Sequence, residues 1–319
     1  MRSRITTAVT AGLERLKNNM AEGSGLSNFP KRALFVAWAA PLGYLLVNCP
    51  FSIVPASFGT IVPAQVVILI LAIAACAEYM RMLSISFPVN GFWLAYIWLG
   101  FEMLVRIFEI KDTLPSYLGI FLLLVTVAAE AIIWGRSSPQ RRWSRASLLF
   151  SGVMFMYIAG FSLLNLYEPI FQNSFVKFTP FLASQLRVVT VLSAVFLCDS
   201  AAYFVGSAWG KHHFSKISPK KTIEGTVAGI LTATIIGGIG FWFCAVPVYP
   251  RWLGIIMGFV IGISAVLGDI LESTIKRYFS VKDASDVIPG HGGVLDRFDS
   301  LFFTAPILNI FFWIIHRVF

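Results

Sequence analysis

Charged residues are scarce in this chain of 319 residues. Asp, Glu, Lys and Arg make up only 13% of the sequence, whereas hydrophobic residues make up 57% and the mean hydropathy is +0.77. An ordinary soluble domain carries about 25% charged residues. This composition lies well outside that of a soluble globular domain, and it predicts an integral membrane protein.

Cysteine is also scarce, and no metal-binding spacing is present. The four cysteines are scattered among apolar segments: Cys49, Cys76, Cys198 and Cys244. Neither a disulfide framework nor a zinc site is indicated, because both need paired or clustered cysteines. We interpret the four as small core residues.

The chain also lacks the alternating segments of about ten residues that form a membrane β-barrel. It has instead apolar runs that approach the roughly 20 residues a helix needs to cross a bilayer. The sequence therefore predicts an all-α polytopic bundle of about nine transmembrane helices. The predicted spans are 33–48, 61–80, 88–105, 116–135, 146–166, 185–205, 226–248, 252–271 and 300–316.

Basic residues predict the orientation, because cytoplasmic loops of membrane proteins carry an excess of Lys and Arg. With a cytoplasmic N-terminus, most of the 25 Lys and Arg residues fall on the cytoplasmic side. The other side keeps Arg106, Lys111, Lys177, Arg187, Arg251 and Arg317. The same topology explains the net charge of +9 without nucleic acid, and it places the polar loops 206–225 and 272–299 on one side.

Three regions follow from this pattern. Residues 1–32 form a basic cytoplasmic extension, which is either an amphipathic helix on an anionic leaflet or a loosely ordered tail. Residues 33–184 form an N-terminal transmembrane region with little chemistry beyond Glu102 and Glu130, each of which either lines a polar cleft or is locally neutralised. Residues 185–319 form the C-terminal region, which we predict to be catalytic.

The first polar cluster runs from Cys198 to Gly225. Asp199 lies within or at the end of a span, where an ion or a basic partner is expected. Ser218 and Pro219 fit a helix N-cap and first-turn position, followed by Lys220 and Lys221. Such a helix end suits a polyphosphate, although two lysines alone also fit the cytoplasmic excess of positive charge.

The second cluster predicts a metal site. Asp269 closes the eighth span, and Asp296 and Asp299 share a face if the last helix begins there. Three carboxylates near one interface suit Mg²⁺, which proteins commonly hold through a few carboxylates and substrate phosphates. Between them, Gly292 and Gly293 allow close approach of backbone to a ligand. A solvated charged loop explains poorly why a chain so poor in charge concentrates it here.

The second cluster also resembles the signature of the phosphatidate cytidylyltransferase (CDP-diacylglycerol synthase) family. The matching residues are Ser273, Ile275, Lys276, Arg277, Lys282, Asp283, Ser285, Ile288, Pro289, His291, Gly292, Gly293, Val294, Asp296, Arg297, Phe298 and Asp299. The upstream stretches 199–203 and 218–225 are similar to family elements as well. The resemblance covers about residues 190–300.

This resemblance implies transfer of CMP from CTP to phosphatidic acid, which gives CDP-diacylglycerol and pyrophosphate. It also implies a multi-pass fold in a membrane, expected to be a bacterial inner membrane, often as a homodimer, with a cytoplasmic Mg²⁺ site at Asp269, Asp296 and Asp299. A second, monovalent or divalent, cation is an open addition.

Roles for the remaining residues follow from the charge of the two substrates. We assign Lys220 and Lys221 to the CTP phosphates. Phosphatidate or the leaving pyrophosphate is assigned to a basic set: Lys276, Arg277, Lys282 and Arg297. Asp283 is a candidate fourth acid, and His291 either donates a hydrogen bond to a phosphate or caps the glycine turn.

Alternatives remain at this point. One is cytidylyl transfer to another lipid phosphate, or CTP-dependent phosphorylation of a polyprenol. Another is an ion-coupled transporter, but such proteins often show inverted repeats and interrupted paired helices, and neither is visible in this sequence.

Overall fold

The computed structural model describes residues 63–86, 99–101, 104, 139–167, 180–213, 221–244, 250–285 and 292–318. These residues form six long helices. They are α1 (Pro63–Ser86), α2 (Pro139–Tyr167), α3 (Pro180–Trp209), α4 (Ile223–Cys244), α5 (Leu253–Tyr278) and α6 (Leu295–Val318). Within the same residues the only β-type pairing is an isolated bridge between His213 and Thr222. The predicted all-helical architecture is therefore confirmed for the part of the chain that is described.

All six helices are long and apolar enough to cross a membrane, with candidate spans of 20 to 26 residues. Each corresponds to one predicted span. The predicted spans 33–48 and 116–135, most of 88–105 and the basic extension 1–32 lie outside the described residues. The protein is a helical membrane protein, while the count of nine spans and the cytoplasmic N-terminus stay predictions.

Local sequence explains where several helices begin. Proline is the first residue of α1, α2 and α3. Proline suits this position because the first backbone N–H of a helix has no partner within the helix, and the fixed φ of proline is already helical. Within each helix the backbone N–H and C=O groups pair with one another, which a bilayer requires because its core has no water to bond them.

The helices pack as two connected groups. Helices α3, α4 and α5 pack side by side, and α6 packs against α5 and α2, which in turn contacts α1. Glycines permit the closest approaches in the first group: a Cβ added to Gly258 of α5 would lie 2.6 Å from the carbonyl oxygen of Thr234 in α4. Small residues at such crossings are typical of membrane helices, where packing replaces the hydrophobic driving force.

Two predicted boundaries need correction. The eighth span was predicted to end at Asp269 or soon after, but α5 continues to Tyr278, so Asp269, Ser273 and Lys276 all lie on the helix. The last helix begins at Leu295 rather than at residue 300, so Asp296 lies in its first turn. Charged side chains lower the local hydropathy in both places, yet they do not interrupt the helical backbone.

The ends of several helices meet at one end of the bundle. The Tyr79 hydroxyl, near the end of α1, donates a hydrogen bond of 2.8 Å to the carbonyl oxygen of Leu148, near the start of α2. At the same end, Lys221, just before α4, forms an ion pair with Asp269 of α5. Lys221 of the polar segment 206–225 thus lies beside Asp269, three residues before the polar segment 272–299.

Candidate functional site

The ion pair between Lys221 and Asp269 joins the two polar clusters. Lys221 Nζ contacts Asp269 Oδ2, and both side chains are about three-quarters buried. Asp269 also accepts a hydrogen bond of 3.3 Å from the hydroxyl of Ser273, one turn later on α5. A cation predicted to bind phosphate therefore lies directly beside an acid predicted to bind metal.

Lys221 is positioned by the cap of α4. The hydroxyl of Thr222 accepts a hydrogen bond of 3.2 Å from the N–H of Gly225, which makes Thr222 the N-cap residue. Ser218 and Pro219, which were predicted to fit a helix start, lie outside the described residues. Long-range contacts fix the start of α4, because the N–H of Ile223 donates a hydrogen bond of 2.9 Å to the carbonyl oxygen of His212.

The same turn is braced by His212 and Glu224. His212 Nδ1 lies 2.7 Å from Glu224 Oε1, and the backbone N–H of His212 donates to Glu224 Oε2 at 3.3 Å. Glu224 lies in the first turn of α4, where a negative charge also stabilises the helix. The residues that flank segment 214–220 are thereby held next to each other, as the bridge between His213 and Thr222 also shows.

Three carboxylates from three helices interact electrostatically near Lys221. Asp199 of α3 interacts electrostatically with Asp269 of α5 and with Lys221. Asp299 of α6 interacts with both Asp269 and Asp199. We call Asp199, Asp269 and Asp299 the acidic cluster. The sequence predicted Asp269, Asp296 and Asp299 for the metal, and in the structure Asp199 lies near two of them, Asp269 and Asp299.

Lys276 belongs to a second, more buried charge group. Its Nζ lies 2.6 Å from Glu272 Oε2 and 3.0 Å from Asp296 Oδ1, and all three side chains are largely shielded from solvent. Glu272 and Lys276 are one helical turn apart on α5, which is the favourable spacing and order for an ion pair. Lys276 was assigned to a substrate phosphate; the structure shows that it already neutralises two acids.

Asp296 organises the turn before α6. Its carboxylate accepts hydrogen bonds from the N–H of Ala284 at 2.9 Å and of Gly293 at 2.8 Å, in addition to that from Lys276. Gly292 has a φ of +80°, and a Cβ there would lie 2.7 Å from Asp296 Oδ2. A metal ion at Asp296 would have to displace one of these donors, so its assignment to the metal stays a prediction.

Glu78 is a site residue that the sequence analysis missed. This acid of α1 is only 5% exposed. It accepts hydrogen bonds from the backbone N–H groups of Val294 at 2.8 Å and Leu295 at 2.7 Å, and from the hydroxyl of Ser285 at 2.6 Å. A Cβ on Gly293 would clash with the same carboxylate. Glu78 thus caps α6 from the N-terminal half of the chain.

The other predicted site residues are peripheral or undescribed. Lys282, Asp283 and Arg297 are exposed. Arg277 is exposed as well and donates a hydrogen bond of 3.2 Å to the carbonyl oxygen of Val281. Lys220 and His291, together with Glu102 and Glu130, lie outside the described residues.

The chemistry of the acidic cluster fits a divalent cation. Among the residues that the structure describes, no three of His, Cys, Asp and Glu come close enough to hold one ion alone. Mg²⁺ needs less than that, because it is usually bound by one or two carboxylates together with waters and substrate phosphates. Three carboxylates beside Lys221 leave negative charge that a metal ion would neutralise.

The fold and the site define a polytopic helical membrane protein with a lysine and acid site at one end of its helices. The family model of the cytidylyltransferase family matches residues 43–315, so the chain belongs to that family. The resemblance noted in the sequence is confirmed, and it extends well upstream of residue 190.

Curated relatives match over shorter segments. A phosphatidate cytidylyltransferase of Synechocystis sp. is 43% identical over 126 residues, which is 39% of this chain and 43% of the relative. Proteins of the same name from Staphylococcus haemolyticus and Bacillus subtilis are each 43% identical, over 36% and 34% of this chain and 45% and 41% of the relatives. The matched segments span less than half the length of each relative.

Proposed function

We propose that this protein is a phosphatidate cytidylyltransferase, which transfers CMP from CTP to phosphatidic acid and releases pyrophosphate. The observation that carries the proposal is the Lys221–Asp269 pair, with Asp199 and Asp299 beside it, at one end of membrane-crossing helices. Family membership and the names of the relatives support the same reaction.

The residues suit the charges of this reaction. An ionised phosphate oxygen of the lipid attacks the α-phosphorus of CTP, the new P–O bond forms, and the bond to pyrophosphate breaks. No strong base is needed, because the attacking oxygen already carries negative charge. Catalysis then depends on bringing two anions together and neutralising them. Lys221 and Lys220 are our choice for the CTP phosphates, and Arg277, Lys282 and Arg297 for phosphatidate or pyrophosphate.

Asp269 and Asp299 would hold Mg²⁺, with Asp199 next to them and Asp296 as a further predicted ligand. The ion would neutralise phosphate oxygens as charge moves to pyrophosphate. Lys276 keeps Glu272 and Asp296 in place, and Glu78 fixes the start of α6 and therefore the position of Asp299. A second cation, if present, would share the same acidic cluster.

The setting of the reaction follows from the same assignment. We place the site on the cytoplasmic side of a bacterial inner membrane, where CTP is available and where the basic loops are predicted to lie. A homodimer is part of the proposal on the basis of family resemblance. Nucleic acid is not among the proposed partners, because membrane topology accounts for the positive charge.

A product assay tests the proposal. Purified protein in detergent receives CTP and phosphatidate with Mg²⁺ or with EDTA. We expect CDP-diacylglycerol and pyrophosphate in equal amounts, and only when Mg²⁺ is present. Formation of CDP and a phosphorylated alcohol from a polyprenol would instead identify a CTP-dependent kinase.

A further inference from the structure

A cavity of about 480 Å³ lies between α1, α2, α5 and α6. Its volume falls in the range of about 300–1,000 Å³ that is typical of small-molecule sites. The wall is mainly apolar, formed by side chains such as Leu148, Phe155, Met156, Leu271, Ile275 and Phe279. None of these residues has a role in the chemistry proposed above.

The cavity touches the candidate site at one point. Asp299 and Glu272 are part of its wall, and Asp299 also belongs to the acidic cluster through its interactions with Asp269 and Asp199. Asp299 therefore connects the apolar cavity to the acidic cluster.

The cavity also opens to the surface of the bundle. Ser151, Leu271, Thr274 and Tyr278 line it and are exposed, whereas Tyr79, Met156 and Phe279 form a buried floor. Leu271 and Thr274 lie within the candidate membrane span Leu253–Tyr278. An opening within a membrane-crossing segment admits a molecule from the bilayer more readily than one from water.

We propose that this cavity binds an acyl chain of the lipid substrate, so that the phosphate is presented to the acidic cluster at Asp299. The proposal rests on the proposed function and extends it to chain recognition. A lipid fits better than a nucleotide, because a nucleotide has no long apolar part to occupy such a wall. We therefore expect the residues of this wall to determine how kcat/KM depends on the length of the acyl chain.

A substitution that fills the cavity tests the proposal. Leu271→Trp places a larger ring in the opening, and Leu267→Trp is the matched control, because Leu267 is a similarly exposed leucine of α5 that does not line the cavity. The measurement is kcat/KM for dioleoyl and for dioctanoyl phosphatidate, together with the KM for CTP. Leu271→Ala, which enlarges the cavity, completes the series.

We expect Leu271→Trp to lower kcat/KM for the dioleoyl substrate about tenfold, a size that hydrophobic pockets reach when one or two groups no longer fit. The kcat/KM for the dioctanoyl substrate and the KM for CTP should change little. Leu267→Trp should have the same kinetic constants as the unmodified protein. Leu271→Ala should not reduce the preference for the long chain. If Leu271→Trp is not recovered as folded protein, Thr274→Phe is assessed by the same criterion.

An equal loss for both substrates, or no loss for either, would overturn the chain-binding assignment. The first result would mean that the cavity accommodates another part of the protein or substrate, and the second that it is not used. Failure of the proposed function looks different, because the unmodified protein would then form no CDP-lipid from either phosphatidate.

Discussion

The carboxylate of Glu78 accepts a hydrogen bond of 2.7 Å from the backbone N–H of Leu295, although the two residues are 217 positions apart in the sequence. Leu295 is the first residue of α6, and the unpaired N–H groups at a helix start favour a negative charge. The N-terminal half of the chain therefore caps the helix that carries Asp296 and Asp299.

Removing this cap should destabilise the protein. In Glu78→Ala, the buried N–H groups of Val294 and Leu295 lose their acceptor, which should cost about 3 kcal/mol of unfolding free energy. Glu78→Gln keeps one acceptor oxygen and should cost less. Thermal unfolding in detergent measures the order. Ser84→Ala is the control on the same helix, because the exposed hydroxyl of Ser84 donates a hydrogen bond to the carbonyl oxygen of Arg81. A similar loss of stability in Glu78→Ala and in this control would contradict the capping role.

Lys276 should be needed for stability as well as for activity. Lys276→Met leaves Glu272 and Asp296 as neighbouring buried acids without a cation, and breaking such a group costs on the order of 3 kcal/mol. The double substitution Glu272→Gln with Lys276→Met should recover part of the loss, because one acid is neutralised. Arg277→Met should leave the unfolding midpoint unchanged, since Arg277 is exposed. A midpoint for Lys276→Met equal to that of Arg277→Met would argue against the buried charge group.

Lys221 should act on CTP. Replacing it by alanine removes the cation next to the acidic cluster, and we expect kcat/KM for CTP to fall about 100-fold, as when one charged donor is removed from other polar catalytic sites. Lys211→Ala is the control, because Lys211 is exposed before the same loop, and its effect should stay within about twofold. Steady-state kinetics at varied CTP and fixed phosphatidate compare Lys221→Ala with Lys211→Ala. Equal effects would mean that positive charge in this loop, rather than the position of Lys221, matters.

The acidic cluster should determine the response to Mg²⁺. Asp269→Asn and Asp299→Asn each remove a carboxylate charge at nearly constant size, so both should abolish most activity and raise the Mg²⁺ concentration that half-activates any remainder. Asp199→Asn should do so less strongly, since it is the one member without a predicted ligand role. Ser200→Ala should retain activity, because the hydroxyl of Ser200 donates a hydrogen bond to the carbonyl oxygen of Phe196 in its own helix. An unchanged Mg²⁺ dependence in both Asp269→Asn and Asp299→Asn would remove the metal from these residues.

Local sequence could predict much of the fold and part of the site. Apolar run length located six of the helices, and the density of charge led to Lys221 and Asp269, which do pair. It could not locate Glu78, because one acid in an apolar helix looks the same as Glu102 or Glu130 until its distant partners are known. The start of α4 at Ile223 depends in the same way on distant partners, since His212 contacts Ile223 and Glu224.

The extension of α5 to Tyr278 was hidden for a different physical reason. Hydropathy falls at Glu272, Lys276 and Arg277, which suggests a loop. Glu272 and Lys276 lie one helical turn apart and form an ion pair. The helix therefore continues at little cost in free energy, and it carries both side chains next to the turn at Gly292. Whether a charge ends a membrane helix depends on its partners, which hydropathy does not include.

The most direct test follows the two ends of the CTP triphosphate. Purified protein is given phosphatidate and Mg²⁺ with CTP labelled at the α-phosphorus in one reaction and at the γ-phosphorus in a parallel one. Our account predicts that the α label enters the lipid fraction as CDP-diacylglycerol and that the γ label is released as pyrophosphate. Appearance of the γ label in the lipid, or of neither label in the expected product, would contradict cytidylyl transfer by this protein.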